Sequence, residues 1–209
     1  MIKYILLNCD HEKDVVFDVC IPCWEDTKKL QETIHNITVS DFRITLPVKL
    51  IISIEKQSVV LNRFACLGVS YAPYVLWLDD DVQFKQRGWD KHLYDLVIAD
   101  QKIGIVGVNV VNYKAMSFNP IRQHGEINDV CGAVMMCRKI SGVDFDKNYI
   151  RSQIEDTDYC WSVRKAGYKV LQDNRVYVLH YNEEINRDYT HNGTYFDKKW
   201  GVELFKGRK

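Results

Sequence analysis

Three consecutive aspartates, Asp79, Asp80 and Asp81, directly follow the strongly apolar segment Tyr74–Leu78. Two carboxylates about 4 Å apart repel each other by about 4 kcal/mol at an effective dielectric constant near 20, so such a cluster needs a compensating charge. In extended backbone Asp79 and Asp81 point to one side and Asp80 to the other. Converging carboxylate oxygens suit Mg²⁺ or Mn²⁺, with phosphate oxygens as further ligands. The pattern therefore favours a metal–phosphate site over a solvated turn, in which Asp is also common.

A second acidic group, Glu155 and Asp156, lies near the start of a predicted helix over Ser152–Ala166. The spacing of Ser152 and Glu155 matches the Ser-x-x-Glu capping box, which by itself would explain Glu155 as a helix-capping residue. Asp156 is either a first-turn acid that the helix dipole stabilises or a general base, a role that requires partial burial. The spacing leaves these two interpretations of Asp156 equally open.

A single histidine, His180, ends the predicted strand Arg175–Leu179. A histidine in such a place is more often a structural residue than a metal ligand. If the strand ends beside Asp81, the imidazole becomes a further ligand, and nitrogen ligation favours Mn²⁺ over Mg²⁺.

Apolar strand patterns that alternate with amphipathic helix patterns must position these residues. The predicted strands are Phe17–Ile21, ended by Pro22, then Val48–Ile54, Tyr74–Leu78, Ile103–Val111, Val130–Cys137 and Arg175–Leu179. The predicted helices are one capped by Asp26 or Thr27 with Leu30, Ile34 and Ile37 on one face, then Val60–Val69, Trp89–Asp100 and Ser152–Ala166. This order predicts an α/β protein with a single three-layer α/β/α domain, in which a mixed, mostly parallel central sheet holds the ligand at its carboxyl edge.

Two segments fall outside this alternation. Residues 1–8 contain an apolar run too short for a signal peptide and are predicted to form an edge strand. The polar segment Tyr181–Thr194 is predicted to be a mobile loop and a candidate lid over the ligand. The Asn-x-Thr sequons at Asn36 and Asn192 are expected to be accidental.

The composition limits the classes of partner. The 209 residues include 28 Lys and Arg and 28 Asp and Glu, so the formal net charge is zero, which makes the chain a poor candidate for binding a nucleic-acid backbone or an anionic membrane surface. No stretch of about 18 uncharged apolar residues is present, so no membrane span is expected. Seven cysteines, several of them within apolar runs, indicate buried free thiols in a reducing compartment, and a cytoplasmic location is expected.

Taken in order, these segments resemble the GT-A-fold nucleotide-sugar glycosyltransferases of the family 2 type, over about residues 17–201. The stretches that carry the resemblance are Ile21–Glu25, Asn62-Arg63, Tyr74–Asp81 with its Asp-x-Asp (DXD) motif, Cys131–Ala133, Phe145-Asp146, Glu155–Cys160, Arg164–Tyr168, His180 and Lys199–Gly201. A lone Asp-x-Asp is a weak signal, whereas the ordered set is a strong one.

The resemblance implies a metal-dependent glycosyltransferase that moves a sugar from a nucleotide-diphosphate sugar to a glycan or other hydroxyl acceptor. A UDP-sugar is the expected donor, and inversion at the anomeric carbon is the expected outcome. Asp79, Asp81 and His180 would hold Mn²⁺ or Mg²⁺. Asp156 would be the base that deprotonates the acceptor hydroxyl, with Glu155 beside it as a second catalytic residue.

The resemblance also places donor contacts at the ends of the early strands. Trp24 replaces the Tyr of the family pattern and would stack on the nucleotide base, with core packing as the alternative for this residue. Glu55 is the residue that could substitute for an acidic turn of the family pattern. The expected donor-binding residues are Pro22, Cys23, Trp24, Glu25, Glu55, Asn62, Arg63, Asp79 and Asp80.

The donor-binding half is expected over about residues 15–112 and the acceptor and catalytic half over about residues 113–205. Two other functions stay open: a non-catalytic nucleotide-sugar-binding module, and a sugar-1-phosphate nucleotidyltransferase, whose Gly-rich signature is absent after the first strand. The chain also resembles the compact glycosyltransferase domains of large DNA viruses, chlorella viruses among them, which would place it in the host cytoplasm. It is compatible with one module of a larger multidomain chain.

Overall fold

A central sheet with helices on both faces forms the frame of the protein in the computed structural model, which describes residues 1–56, 58–113, 117–118, 123–181 and 189–205. The strands are β1 (Ile2–Leu7), β2 (Phe17–Cys23), β3 (Val48–Ile54), β4 (Tyr74–Leu78), β5 (Val82–Phe84), β6 (Ile103–Asn112), β7 (Ser117–Phe118), β8 (Gly125–Glu126), β9 (Val134–Arg138) and β10 (Lys169–His180). The helices are α1 (Lys28–Thr38), α2 (Val59–Leu67), α3 (Trp89–Ala99), α4 (Glu155–Lys165) and α5 (Tyr189–Trp200). None of these helices is long and apolar enough to cross a membrane.

The strand order across the sheet is β1-β3-β2-β4-β9-β6-β10-β5, with β7 paired to β6 and β8 paired to β10. The neighbours β3, β2 and β4 are parallel, and β3 is buried along almost its whole length, as its unbroken apolar pattern predicts. The expected mixed sheet is confirmed, but it is less parallel than predicted. Strands β1, β5, β7, β8 and β9 all pair antiparallel, because they return beside strands that run the other way instead of following a helical crossover.

The helices form one layer on each face of the sheet, so the predicted three-layer architecture is confirmed. On one face α1 packs through the predicted Leu30 and Ile37, with Ile34 partly buried beside them. Helix α3 adds Trp89, Leu93 and Val97 to the same layer. Thr27, one of the two expected caps, accepts the Leu30 N–H at 3.1 Å. On the other face α2, α4 and α5 cover the sheet with Val60, Cys66, Tyr159, Val163 and Phe196.

Several boundaries differ from the prediction. Strand β2 continues through Pro22 to Cys23. At that point β2 pairs with β3 alone, because β4 pairs only with Asp18–Cys20, and proline is tolerated where a strand is locally an edge. Strand β9 begins at Val134 instead of Val130, because the chain first turns. The predicted edge position of β1 is confirmed.

The polar segment Tyr181–Thr194 is not a loop throughout, which corrects the prediction. Helix α5 begins at Tyr189, and residues 182–188 lie outside the described residues. The polar composition was misleading because Asn192 is fully buried and satisfied by backbone groups of a neighbouring segment. Asn36 is also buried, so neither sequon asparagine is an accessible acceptor in this fold.

A buried carboxylate fastens α5 to α4. Asp158 is fully buried and accepts hydrogen bonds from Trp200 Nε1 at 2.7 Å and Lys199 Nζ at 2.8 Å. Lys199 Nζ also donates to Asp146 at 2.8 Å, and the Tyr195 hydroxyl donates to the same carboxylate at 2.8 Å. The Lys-Trp pair at the end of α5 therefore holds this helix against the start of α4.

We expect Asp158→Ala to reduce the free energy of unfolding by about 3 kcal/mol, because it leaves a buried indole N–H and an ammonium group without their acceptor. Urea unfolding followed by tryptophan fluorescence measures the loss. Asp100→Ala is the matched control, since Asp100 pairs with Lys169 at the surface and its removal should change little. Equal losses in the two variants would contradict an anchoring role for Asp158.

Candidate active site

The ends of three strands place two aspartates and a histidine side by side. Asp79 follows β4, Asp81 precedes β5, and His180 ends β10. Because β10 pairs antiparallel with β5 and sets His180 opposite Val82, the imidazole lies next to the aspartates. His180 Nε2 is 2.9 Å from Asp81 Oδ1 and 3.5 Å from Asp79 Oδ2. One ligand atom from each of the three residues lies within 4.8 Å of the others, so this trio could hold a metal ion.

Negative charge dominates this trio. Burial by itself would lower the pKa of His180, but the hydrogen bond to Asp81 and the charge of Asp79 outweigh it and leave the pKa above its ordinary value. Burial raises the pKa of Asp79, although His180 opposes that rise. A cation among these atoms would relieve the crowding of negative charge. Within the described part of the chain, no other group of His, Cys, Asp or Glu residues has three ligand atoms this close together.

The middle aspartate bonds to β2 instead of joining the trio, although the chain turns at Asp80 and Asp81 and is not extended there. Asp80 Oδ2 accepts a hydrogen bond from the Cys23 thiol at 2.6 Å, and its backbone carbonyl accepts one from the Thr33 hydroxyl at 3.0 Å. Burial raises the pKa of Asp80 to about 6, although the bond from Cys23 opposes the rise. Asp80 therefore fastens the turn that carries Asp79 and Asp81 to the end of β2.

A tight turn before β9 connects the trio to Asp156. The Asp79 N–H donates to the Ala133 carbonyl at 2.9 Å, and the Gly132 N–H donates to Asp156 Oδ2 at 2.7 Å. The Thr157 N–H donates to Asp156 Oδ1 at 2.8 Å. A Cβ at residue 132 would lie only 2.7 Å from Asp156 Oδ2, so glycine is what allows the carboxylate to reach this amide. Two hydrogen bonds and one turn thus fix Asp156 relative to Asp79.

Glu155 has a different environment from the one that its sequence pattern predicted. Helix α4 begins at Glu155 itself, and Ile154 occupies the N-cap position without a side-chain cap, so the capping box expected from Ser152 does not form. Glu155 is buried, and its Oε1 lies 3.7 Å from Nη1 of the buried Arg63. Burial raises the pKa of Glu155 to about 7, with the charge of Asp156 assisting and Arg63 opposing.

The segment that leads into α4 has a strained backbone. Arg151, Gln153 and Ile154 have φ angles of 56°, 89° and 70°, in the left-handed region that residues with side chains rarely adopt. Each such residue costs about 1–3 kcal/mol and persists only where the surroundings hold it. This segment immediately precedes Glu155 and Asp156, so the strained backbone sets the positions of these two acids.

Asn192 of α5 supplies the restraint. Its Nδ2 donates to the carbonyl oxygens of Ile150, Ser152 and Gln153 at 3.0, 3.2 and 2.9 Å, and its Oδ1 accepts the Ile150 N–H at 3.1 Å. Sequence reasoning missed this residue because it placed Asn192 in a mobile loop. The sequence offered one weak signal for a buried role of this residue: Asn192 lies eight positions before Trp200, a spacing that can place two residues on the same face of a helix.

The residues predicted to bind the donor divide into an exposed and a buried set. Trp24 is 51% exposed, which excludes core packing as the reason for its ring. Glu25 is also exposed and lies 3.3 Å from Lys56 Nζ. Glu55 is half-exposed, and its Oε1 accepts a hydrogen bond from the Met1 amino group at 3.0 Å. The exposed set therefore lies at the ends of β2 and β3.

The buried set consists of Pro22, Cys23, Asn62 and Arg63. Asn62 Nδ2 donates to the carbonyl oxygens of Cys23 and Glu55 at 2.9 and 3.0 Å, so it joins the ends of β2 and β3. The Arg63 guanidinium carbon lies 4.4 Å from the centre of the Phe145 ring. The structure thus places Asn62 and Arg63 beneath the surface, where their contacts are with the protein.

Comparisons with known proteins bear on the fold. No protein-family model and no curated protein matches this chain. Among solved structures, the mannosyltransferase PcManGT from Pyrobaculum calidifontis, in complex with GDP-Man and Mn²⁺, aligns with a TM-score of 0.64 at 14% identity and covers 87% of this chain and 63% of its own. GalNAc-T7 with UDP, GalNAc and Mn²⁺ aligns with a TM-score of 0.59 at 12% identity.

This chain is shorter than these neighbours, since 83% of it covers 45% of the GalNAc-T7 chain. A197 from STIV is closer in length: it aligns with a TM-score of 0.54 at 12% identity, with 80% of this chain and 86% of its own covered. At these identities the likeness establishes the fold. The chain therefore has the GT-A fold, the architecture that the sequence resemblance predicted.

Proposed function

We propose that the protein is a metal-dependent glycosyltransferase that moves a sugar from a nucleotide-diphosphate sugar to an acceptor hydroxyl with inversion. The observation that carries the proposal is the convergence of Asp79, Asp81 and His180 at one edge of a GT-A sheet. The turn before β9 links Asp79 to Asp156 through two hydrogen bonds. Two structural neighbours contain Mn²⁺ with UDP or GDP-Man, which supports a nucleotide-diphosphate donor. A UDP-sugar is the donor we propose.

The donor atoms of the trio fit a divalent cation. Two carboxylate oxygens and one imidazole nitrogen form a mixed set that favours Mn²⁺ over Mg²⁺. The trio also carries the excess of negative charge that a cation would balance. When bound, the ion would stabilise the charge that develops on the diphosphate leaving group.

Asp156 is the proposed base. As the acceptor oxygen bonds to the anomeric carbon, the bond between that carbon and the diphosphate oxygen breaks, and the nucleoside diphosphate leaves with the electron pair. The acceptor proton passes to the Asp156 carboxylate. Each oxygen of Asp156 accepts one backbone N–H and retains a further lone pair, so the carboxylate can be held and can still accept a proton.

The other predicted residues take supporting roles in this proposal. The exposed ring of Trp24 offers a stacking surface for the nucleotide base, with Glu25 and Glu55 at the same strand ends. Asn62 orients those strand ends from below. The buried pair of Glu155 and Arg63 supports the start of α4.

We expect Asp81→Asn to abolish stabilisation by Mn²⁺ with a nucleoside diphosphate and to reduce sugar transfer by about 100-fold or more, because the trio loses a charged ligand. A thermal-shift titration of Mn²⁺ with UDP, GDP and their sugars measures binding, and donor turnover measures transfer. Asp41→Asn is the control, since Asp41 is exposed and pairs with Arg87. Mn²⁺-dependent stabilisation that survives in Asp81→Asn would contradict the metal assignment.

We expect Asp156→Asn to keep donor and Mn²⁺ binding while transfer falls by about 10²- to 10⁴-fold, the usual contribution of a general base. The comparison needs thermal shifts and initial rates on the same samples, with the exposed Asp144→Asn as a control. Normal transfer would end the base assignment. Slow donor hydrolysis by the unmodified protein in Mn²⁺ without acceptor would exclude a purely binding module.

We expect Asn192→Asp to lower kcat by about 10- to 100-fold and to leave the donor KM within about threefold, because the lost amide donors restrain the segment that positions Asp156 and not the metal trio. Steady-state kinetics separates the two parameters. Thr194→Ala, an exposed change on the same helix, is the control. A rise in donor KM with unchanged kcat would contradict this role for Asn192.

A further inference from the structure

Strand β1 forms one end of the sheet, and in the described part of the chain it has a neighbour, β3, on one side. Its side chains Ile2, Tyr4 and Ile5 are 39%, 55% and 51% exposed. Natural edge strands usually carry prolines, bulges or several charges that prevent pairing with another chain. β1 has none of these features except one charged residue, Lys3.

The hydrogen bonds at the start of β1 show which backbone groups face the open edge. Met1 and Ile54 exchange both backbone hydrogen bonds, at 2.9 and 3.0 Å. Bonded and non-bonded pairs alternate along an antiparallel ladder, and the register of β1 on β3 is unbroken. The groups that bond to β3 are therefore those of Lys3, Ile5 and Leu7. The groups that point to the open edge are those of Ile2, Tyr4 and Leu6.

We propose that β1 pairs antiparallel with β1 of a second copy of this chain, about a two-fold axis at Tyr4. This register sets Ile2 opposite Leu6 of the partner subunit, so every outward-facing N–H and C=O of the strand finds an acceptor or donor. It also sets Lys3 opposite Ile5 of the partner subunit. The two subunits would share one continuous sheet through an isologous contact.

Charge and backbone pairing together select this register over the nearest symmetric alternatives. An axis at Lys3 would place the two Lys3 side chains directly opposite each other, where like charges destabilise a strand pair. An axis at Ile5 would leave the outward groups of Ile2 unpaired. On the face that carries Tyr4, Lys49 Nζ lies 4.3 Å from the Tyr4 ring centre and is paired with Glu12 at 2.8 Å. The two-fold contact at Tyr4 therefore brings no unpaired charges together.

The pairing leaves the candidate active site open. Strands β3 and β2 lie between β1 and β4, and adjacent strands are about 4.8 Å apart. The new contact would extend the sheet sideways, whereas the metal trio lies at its carboxyl edge. The inference therefore does not depend on the proposed function, and its failure would leave that proposal intact.

Two substitutions at one exposed position test the register. Ile5→Lys sets two lysines opposite each other at both symmetric positions, whereas Ile5→Glu sets a carboxylate opposite Lys3 of the partner subunit. Both changes remove the same apolar side chain, so they are matched for lost hydrophobic contact. Sedimentation velocity from about 1 to about 200 µM gives the dimer dissociation constant of each protein, and thermal unfolding checks that both fold.

We expect a reversible dimer of the unmodified chain and a dissociation constant for Ile5→Lys about tenfold or more above that of Ile5→Glu. In 1 M salt, where the Debye length is about 3 Å, this difference should largely disappear. A protein that stays monomeric at about 200 µM would overturn the proposal. So would a dimer that responds equally to the two substitutions, because the contact would then lie elsewhere or in another register.

Discussion

Repulsion between carboxylates is the constraint on which the rest of this structure depends. The fold gathers Asp79, Asp81, Glu155 and Asp156 at one edge of the sheet, with Asp80 just behind. The raised pKa values of Asp80, about 6, and Glu155, about 7, record the cost of removing these groups from water. Such a cluster is stable only where other groups hold the carboxylates in place and positively charged groups lie close to them.

The protein supplies that charge from two directions. His180 approaches Asp79 and Asp81 from β10, while the buried Arg63 approaches Glu155 from α2. Neither neutralises the whole cluster, which is why a divalent cation suits the trio. Backbone groups hold this geometry, since the Gly132 N–H donates to the Asp156 carboxylate and the Ala133 carbonyl accepts the Asp79 N–H.

Holding the acids also requires strained backbone. Asn192, on a helix far along the chain, restrains the left-handed residues before α4, because its amide donates to the carbonyl oxygens of Ile150, Ser152 and Gln153. Asp158, Lys199 and Trp200 in turn fix that helix. Helix α5 therefore holds the segment that leads into α4 in place, and Asn192 is the polar residue that it buries for this contact.

The sequence by itself determined the elements with strong local signals. The apolar runs of β3 and β4, a cap at Asp26 or Thr27 and the three-layer α/β/α class follow from hydrophobic spacing and capping chemistry, which depend on neighbouring residues. The run of aspartates also favoured a cation site over a solvated turn, because adjacent carboxylates repel one another. Sequence could not settle how much of the sheet is antiparallel, because pairing direction depends on which distant strands meet.

Only the tertiary structure decided the contacts between distant segments. The spacing Ser-x-x-Glu predicted a capping role for Glu155, yet the fold turns that side chain inward to Arg63, which is 92 positions earlier in the chain. Asn192 lies in a segment whose polar composition does not suggest burial. Its side chain is nevertheless buried, because four hydrogen bonds to another segment satisfy its amide group. Local sequence sets the chemistry of each side chain, but its burial and partners depend on long-range packing that no local pattern records.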